Sequence, residues 1–76
     1  GSSLLACGIV ETKGSFAAGD VVDVLDQSGT KVARGLVNYA QREVEQIEGL
    51  HSSEIEDELG YQAYDEVIHR DNLVLV

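Results

Sequence analysis

Two apolar runs separated by a short polar stretch constrain this chain more than any other feature. Val21-Val22-Asp23-Val24-Leu25-Asp26 alternates in polarity, Gln27-Ser28-Gly29-Thr30 supplies turn formers, and Ala33-Arg34-Gly35-Leu36-Val37-Asn38-Tyr39 resumes the apolar pattern. Alternation with period two predicts strand, turn, strand: a β-hairpin in which Gly29 takes a positive φ. Gly35 lies inside the second strand with no side chain to pack, which predicts a bulge or the close approach of another backbone. After Tyr39 the apolar period lengthens to between three and four. A helix is therefore predicted over residues 40–48, with Val44 and Ile47 on one face and Gly49 as its left-handed stop. Within it, Arg42 is spaced to pair with Glu45 and Gln46.

The length of 76 residues leaves room for a single domain. A chain of that size buries only roughly 60–65 % of its unfolded surface, so its stability is expected to be marginal. With one Phe, three Tyr and no Trp, the core falls to Val, Leu, Ile and Ala. No apolar run approaches the ~18 residues of a membrane span. No cleavable signal pattern opens the chain either, and a cytoplasmic setting is expected. The single cysteine, Cys7, has no partner for an internal disulfide or a CxxC motif and reads as a plain buried or half-exposed thiol in a reducing compartment.

Charge separates the function classes. Fourteen acidic residues against five basic ones give a net charge of −9, and ten of the acids fall between Glu43 and Asp71, where Arg70 is the only cation. Nucleic-acid binders carry a basic face, and a chain this acidic repels phosphate at long range. The acids read as solvated helix faces that keep a small domain soluble, in preference to a metal or cationic-ligand site.

The remaining segments fall into place around the hairpin. Residues 1–3 read as a tag scar or linker remnant. Residues 8–12 alternate as a strand would. Gly14 to Asp20 is a glycine-bounded loop that Phe16, the only phenylalanine, is expected to anchor to the core. The loop lacks the glycine spacing of a phosphate cradle. Ser52 or Ser53 is expected to cap a second helix, with Ser53 and Glu56 as a capping box, Ile55 and Leu59 as its buried stripe and Gly60 as its end. Glu54, Glu56, Asp57 and Glu58 complement the positive end of that helix and surround it without converging as metal ligands. Residues 66–69 and 73–76 predict a closing hairpin around Arg70-Asp71-Asn72, with Asp71 and Asn72 in left-handed conformations. His69 is expected to donate a hydrogen bond to a carbonyl or carboxylate. His69-Arg70-Asp71 has the letters of a kinase catalytic loop but none of its companion motifs.

Gly19-Asp20-Val21-Val22, Gly29, Ala33-Arg34-Gly35-Leu36, Tyr39 and the helix containing Glu43 together resemble the PUA domain, named for pseudouridine synthases and archaeosine transglycosylases. Within that superfamily nearly the whole chain resembles the carboxy-terminal region of bacterial glutamate 5-kinases. The matching motifs are Ser3-Leu4-Leu5, Gly8-Ile9, Gly14-x-Phe16, Gly19-Asp20, Ala33 to Tyr39, Ile47-x-Gly49, Ser52-x-Glu54-Ile55, Leu59-Gly60-Tyr61 and Glu66 to Leu75. The chain departs from that pattern at Ala6, where a proline is usual.

The resemblance implies a mainly β (α+β) fold: a PUA-like mixed pseudo-barrel of about six strands with two short helices, occupying residues 4–76. The residue pattern by itself supports five strands and two helices. Phe16, Gly19, Asp20, Gly29, Gly35, Tyr39, Ser52, Gly60 and Asp71 would carry structural roles. The resemblance further implies an accessory domain with no catalytic residues, metal or cofactor of its own. The parent kinase would use ATP and magnesium to phosphorylate glutamate in proline synthesis, and would be a homo-oligomer. Two functions follow: a regulatory or interaction module packed on the amino-acid kinase domain, favoured by the net charge, or an RNA-binding module. Lys13, Lys31, Arg34, Arg42 and Arg70 are the available cations. Lys31, Arg34, Arg42, His69 and Arg70 are the candidate interface residues.

Overall fold

A computed structural model describes residues 2–76; Gly1, the first residue of the expected tag scar, lies outside them. Strand β1 (Val21–Leu25) and strand β2 (Lys31–Leu36) form the expected antiparallel hairpin. Asp26 builds the turn: its carboxylate accepts from the Ser28 hydroxyl (2.6 Å), Ser28 N–H (2.9 Å) and Thr30 N–H (3.0 Å). Gly29 follows at φ +90°, a conformation that only glycine adopts freely. The strands pair Val22 with Gly35 and Val24 with Ala33, and a bulge shifts the register at Leu25, which pairs with Lys31. The bulge therefore sits at the turn end of the ladder and not at Gly35.

Alternation divides the hairpin into two faces. Val22, Val24, Ala33 and Gly35 turn inward, while Val21, Asp23, Arg34 and Leu36 are exposed. The loop ahead of β1 is tied to the end of β2, since Gly19 N–H donates to the Val37 carbonyl (2.7 Å) and Val37 N–H to the Asp20 carbonyl (3.0 Å). The Asp20 carboxylate accepts from Ala17 N–H (2.9 Å), and Phe16 packs half-buried on the core as expected.

Helix α1 (Gln41–Ile47) starts after Ala40, whose N–H is satisfied by the Glu43 carboxylate (2.7 Å). Val44 and Ile47 are its buried face. Arg42 does not make the expected intrahelical pair; the Glu45 carboxylate instead accepts from the Gln41 amide (3.3 Å). Helix α2 (Ile55–Leu59) ends at Gly60 and buries Ile55. Its start corrects the expected cap. Ser52–Glu54 coils as a 3-10 turn, and the Glu54 carboxylate reaches back to His51 N–H (3.0 Å). The tighter turn brings the reciprocal acid two residues earlier than Glu56, so neither serine caps the helix.

The expected closing hairpin does not form either. Strand β3 (Leu73–Leu75) pairs antiparallel with β2, giving a sheet of order β1-β2-β3. Residues 66–69 contribute a single bridge, Ile68 to Leu4. The reason lies in Arg70–Asn72, a 3-10 turn in which Asn72 N–H donates to the His69 carbonyl (2.8 Å). That coil carries the chain sideways onto β2, and no residue other than glycine adopts a positive φ among the described residues, Asp71 and Asn72 included.

Residues 8–12 also fail to form a strand: Ala6–Gly8 is a 3-10 turn, with the Ala6 carbonyl accepting from Gly49 N–H (2.8 Å). Ile9 is half-buried and Val10 exposed. Burial over residues 8–12 does not alternate, since Val10 and Glu11 are both exposed, and no neighbouring backbone supplies a ladder. The core comprises Ala6, Val37, Tyr39, Val44, Ile47, Ile55, Val67 and Ile68, with Leu4, Ile9, Phe16, Leu59 and Leu73 packed against it. The fold is thus mixed α and β, with three sheet strands among the described residues.

Candidate functional site

The closing segment places the chemistry. Leu4 N–H donates to the Ile68 carbonyl (2.9 Å), while Val67 N–H (2.8 Å) and Ile68 N–H (3.2 Å) both donate to the Leu4 carbonyl. Those bonds lay the start of the chain beside residues 66–70. The Ser3 hydroxyl oxygen then accepts from Arg70 N–H (2.9 Å). A groove of about 460 Å³ opens between the two segments, lined by Ser2, Ser3, Leu5, Glu66, His69 and Arg70.

Inside it, His69 corrects the expected donor role. Its Nδ1 accepts from Asp71 N–H (3.1 Å), which directs the proton of the neutral ring to Nε2, 3.9 Å from the Glu66 carboxylate. The Asp71 carboxylate lies 3.5 Å from Nδ1. Arg70 is held through its backbone alone. A salt bridge from Arg70 to Asp65 or Glu66 is the structural alternative its position in the sequence offers, and it does not form: among the described residues the guanidinium has no carboxylate within ion-pair distance.

Lys31 and Arg34 meet on the outer sheet face, away from this groove. Arg34 Nε donates to the Asp23 carboxylate at 3.0 Å, and Lys31 Nζ lies 3.7 Å from the same oxygen. The Arg34 hydrogen bond chiefly, with the charge of Lys31, holds the Asp23 carboxyl below its ordinary value. Beside them lies a shallow apolar groove of about 370 Å³ lined by Val21, Leu36, Val74 and Val76. Lys13 stands 3.9 Å from Glu11. Arg42 lies on α1 with no ion pair among the described residues. Of the candidate interface residues, the structure therefore brings His69 and Arg70 together at one place and Lys31 and Arg34 at another.

Tyr39 has a supporting role. Its hydroxyl donates to the Tyr64 carbonyl and accepts from Tyr64 N–H (3.0 Å), and the two rings meet edge to face with centroids 6.3 Å apart. Burial pushes the Tyr39 phenol above its ordinary value. The Asn38 amide donates to the Glu66 carbonyl (3.0 Å), so adjacent residues of the hairpin exit position both ends of the segment that leads to the groove. Sequence reasoning missed Ser3, Glu66 and Tyr64. Only Glu66 carried a signal, as a carboxylate three residues before His69. Gly60 ends α2 and Ser52 is exposed in its turn; Cys7, expected to be buried or half-exposed, is instead exposed on its 3-10 turn. No helix of the described residues is long and apolar enough to cross a membrane.

The family model described as "PUA domain" matches residues 1–59. Curated relatives match over the full 76 residues: glutamate 5-kinases of Caldanaerobacter subterraneus subsp. tengcongensis (57 % identical), Thermoanaerobacter sp. strain X514 (54 %) and Microcystis aeruginosa (47 %). Each alignment covers 100 % of this chain and 20 % of the relative, so the chain spans about a fifth of the length of the curated relatives it matches.

Proposed function

This chain belongs to the PUA domain family, and from that membership we propose that it is a non-catalytic accessory domain of a glutamate 5-kinase, acting as a regulatory and interaction module that packs on the amino-acid kinase domain. The observation that carries this reading is the full-length likeness of the chain to one fifth of the kinase relatives. Phosphorylation of glutamate, with ATP and magnesium, then belongs to the part of the protein outside this chain. The Leu4–Ile68 bridge is where the three-stranded sheet would be extended toward the family's pseudo-barrel. The whole enzyme would be cytoplasmic and homo-oligomeric.

Charge supports interaction over RNA binding. Backbone neutralisation by cations supplies most non-specific affinity for nucleic acid. Here three of the five cations, Lys13, Lys31 and Arg34, already face carboxylates, and the net charge is −9. The test compares the whole kinase with a truncation that stops before residue 1. Retained glutamate phosphorylation with altered response to end-product inhibition or altered assembly is the expected result. A truncated enzyme whose regulation and assembly both match the parent would refute the proposal.

A further inference from the structure

The groove beside Arg70 has a specific relation to the way the chain enters the fold. Ser2 and Ser3 form one wall, and the hydrogen bonds of Leu4 with Val67 and Ile68 fix the direction of the chain there. Ser2, the first described residue, lies in the wall of this groove, so a domain joined on that side would stand beside it. In the glutamate 5-kinase relatives four-fifths of the protein lies outside the matched region, and the matched region is carboxy-terminal.

The lining is suited to a protein surface of defined charge. Arg70 is the one cation between residues 43 and 71, a span with ten acids. No carboxylate of the described residues reaches it, although Glu66 and Asp71 lie close enough to engage its neighbour His69. The Ser3 hydroxyl accepts from Arg70 N–H, which leaves its own proton free to donate in the groove that Arg70 also lines. Leu5, 43 % exposed, adds an apolar contact. A guanidinium presented with hydroxyl donors and an apolar neighbour favours a carboxylate at a protein–protein contact.

We propose that this groove seats the kinase domain of the same polypeptide where the chain enters, and that Arg70 takes a carboxylate from that domain. The proposal rests on the accessory-domain reading above and names the surface through which it acts.

Hydrogen exchange measured on the full-length kinase and on this chain alone tests it. Amides of residues 66–71 should exchange at least about tenfold more slowly in the full-length protein. Arg70→Glu should abolish that difference and Arg70→Lys should keep part of it. In the chain alone, Arg70→Glu should move the melting temperature by no more than about two degrees, because Arg70 is exposed and makes no ion pair among the described residues. If Arg70→Glu unfolds the chain alone, Arg70 is a structural residue and the proposal fails. Equal exchange of residues 66–71 in both proteins, or persistence of the difference in Arg70→Glu, also overturns it. Slower exchange confined to the outer sheet face around Val21, Leu36 and Val74 would move the interface there and leave the accessory-domain reading standing. No change in any segment would remove both.

Discussion

Gly35 and Asn72 touch backbone to backbone: a β-carbon built on Gly35 would lie 2.5 Å from the Asn72 carbonyl oxygen. The Ile68 methyl at 2.8 Å and the Leu73 α-carbon at 3.3 Å close the remaining space. Gly35→Ala is therefore expected to cost about 1–3 kcal/mol, and Gly35→Val more, because backbone on one side and a core isoleucine on the other cannot yield cheaply. In a domain of this size that lowers the melting temperature by on the order of 10 °C. A melt of Gly35→Ala within a degree of the parent would show that β3 does not lie against this position.

Tyr39 links the hairpin to the closing segment through both hydrogen bonds of its hydroxyl. Tyr39→Phe leaves a Tyr64 N–H and carbonyl without that partner and should cost about 1–3 kcal/mol. The pH dependence has a definite sign. Burial raises the phenol above its ordinary value, so its contribution is complete below that value and is lost as pH rises through the raised one. Denaturation curves taken across the alkaline range should show this loss in the parent and a smaller one in Tyr39→Phe.

Asp23 works in the opposite direction. Arg34 and Lys31 depress its carboxyl, so its contribution is present above the ordinary aspartate range and is lost as pH falls through the depressed value. An NMR titration should place the Asp23 midpoint below the ordinary aspartate value and return it upward in Arg34→Ala. An unmoved midpoint would mean that the outer-face pair is not populated in solution.

For RNA, the charge and the engagement of Lys31 and Arg34 with Asp23 predict weak binding. A structured, tRNA-like RNA should bind the chain with Kd no tighter than about 10 μM near physiological salt, outside the range of specific nucleic-acid recognition. Sub-micromolar binding that falls steeply with added salt would reverse the order of the two functions.

Local patterns legible in the sequence survived where their partners are near in the chain. The hairpin from Val21 to Leu36, the apolar faces of Val44, Ile47, Ile55 and Leu59, and the ends at Gly49 and Gly60 depend on residues a few positions apart. The need for glycine at position 35 was also legible, as an apolar run broken by a residue with nothing to pack. The failures are of another kind. Residues 8–12 and 66–69 have strand-like composition, yet neither run is wet on one side and dry on the other: Val10 and Glu11 are both exposed, and Val67 and Ile68 are both buried. Ser53 and Glu56 have capping-box spacing, yet the 3-10 turn made Glu54 the residue that reaches His51.

The candidate site divides in the same way. His69 and Arg70 stood out from sequence as polar residues before an apolar strand and as the one cation in an acidic span. Ser3 did not, because it lies 67 positions from Arg70 and only the fold brings it there. By itself the sequence determined the hairpin, the helical faces, the acidic charge and the family likeness, because these follow from neighbouring residues and from composition. The tertiary structure decided that β3 lies on β2 at Gly35, that Leu4 bridges Ile68, and that Arg70 faces a groove walled by the start of the chain. Each of those is a contact between residues distant in sequence, and their pairing is selected by the packing of the whole core and not by any local preference.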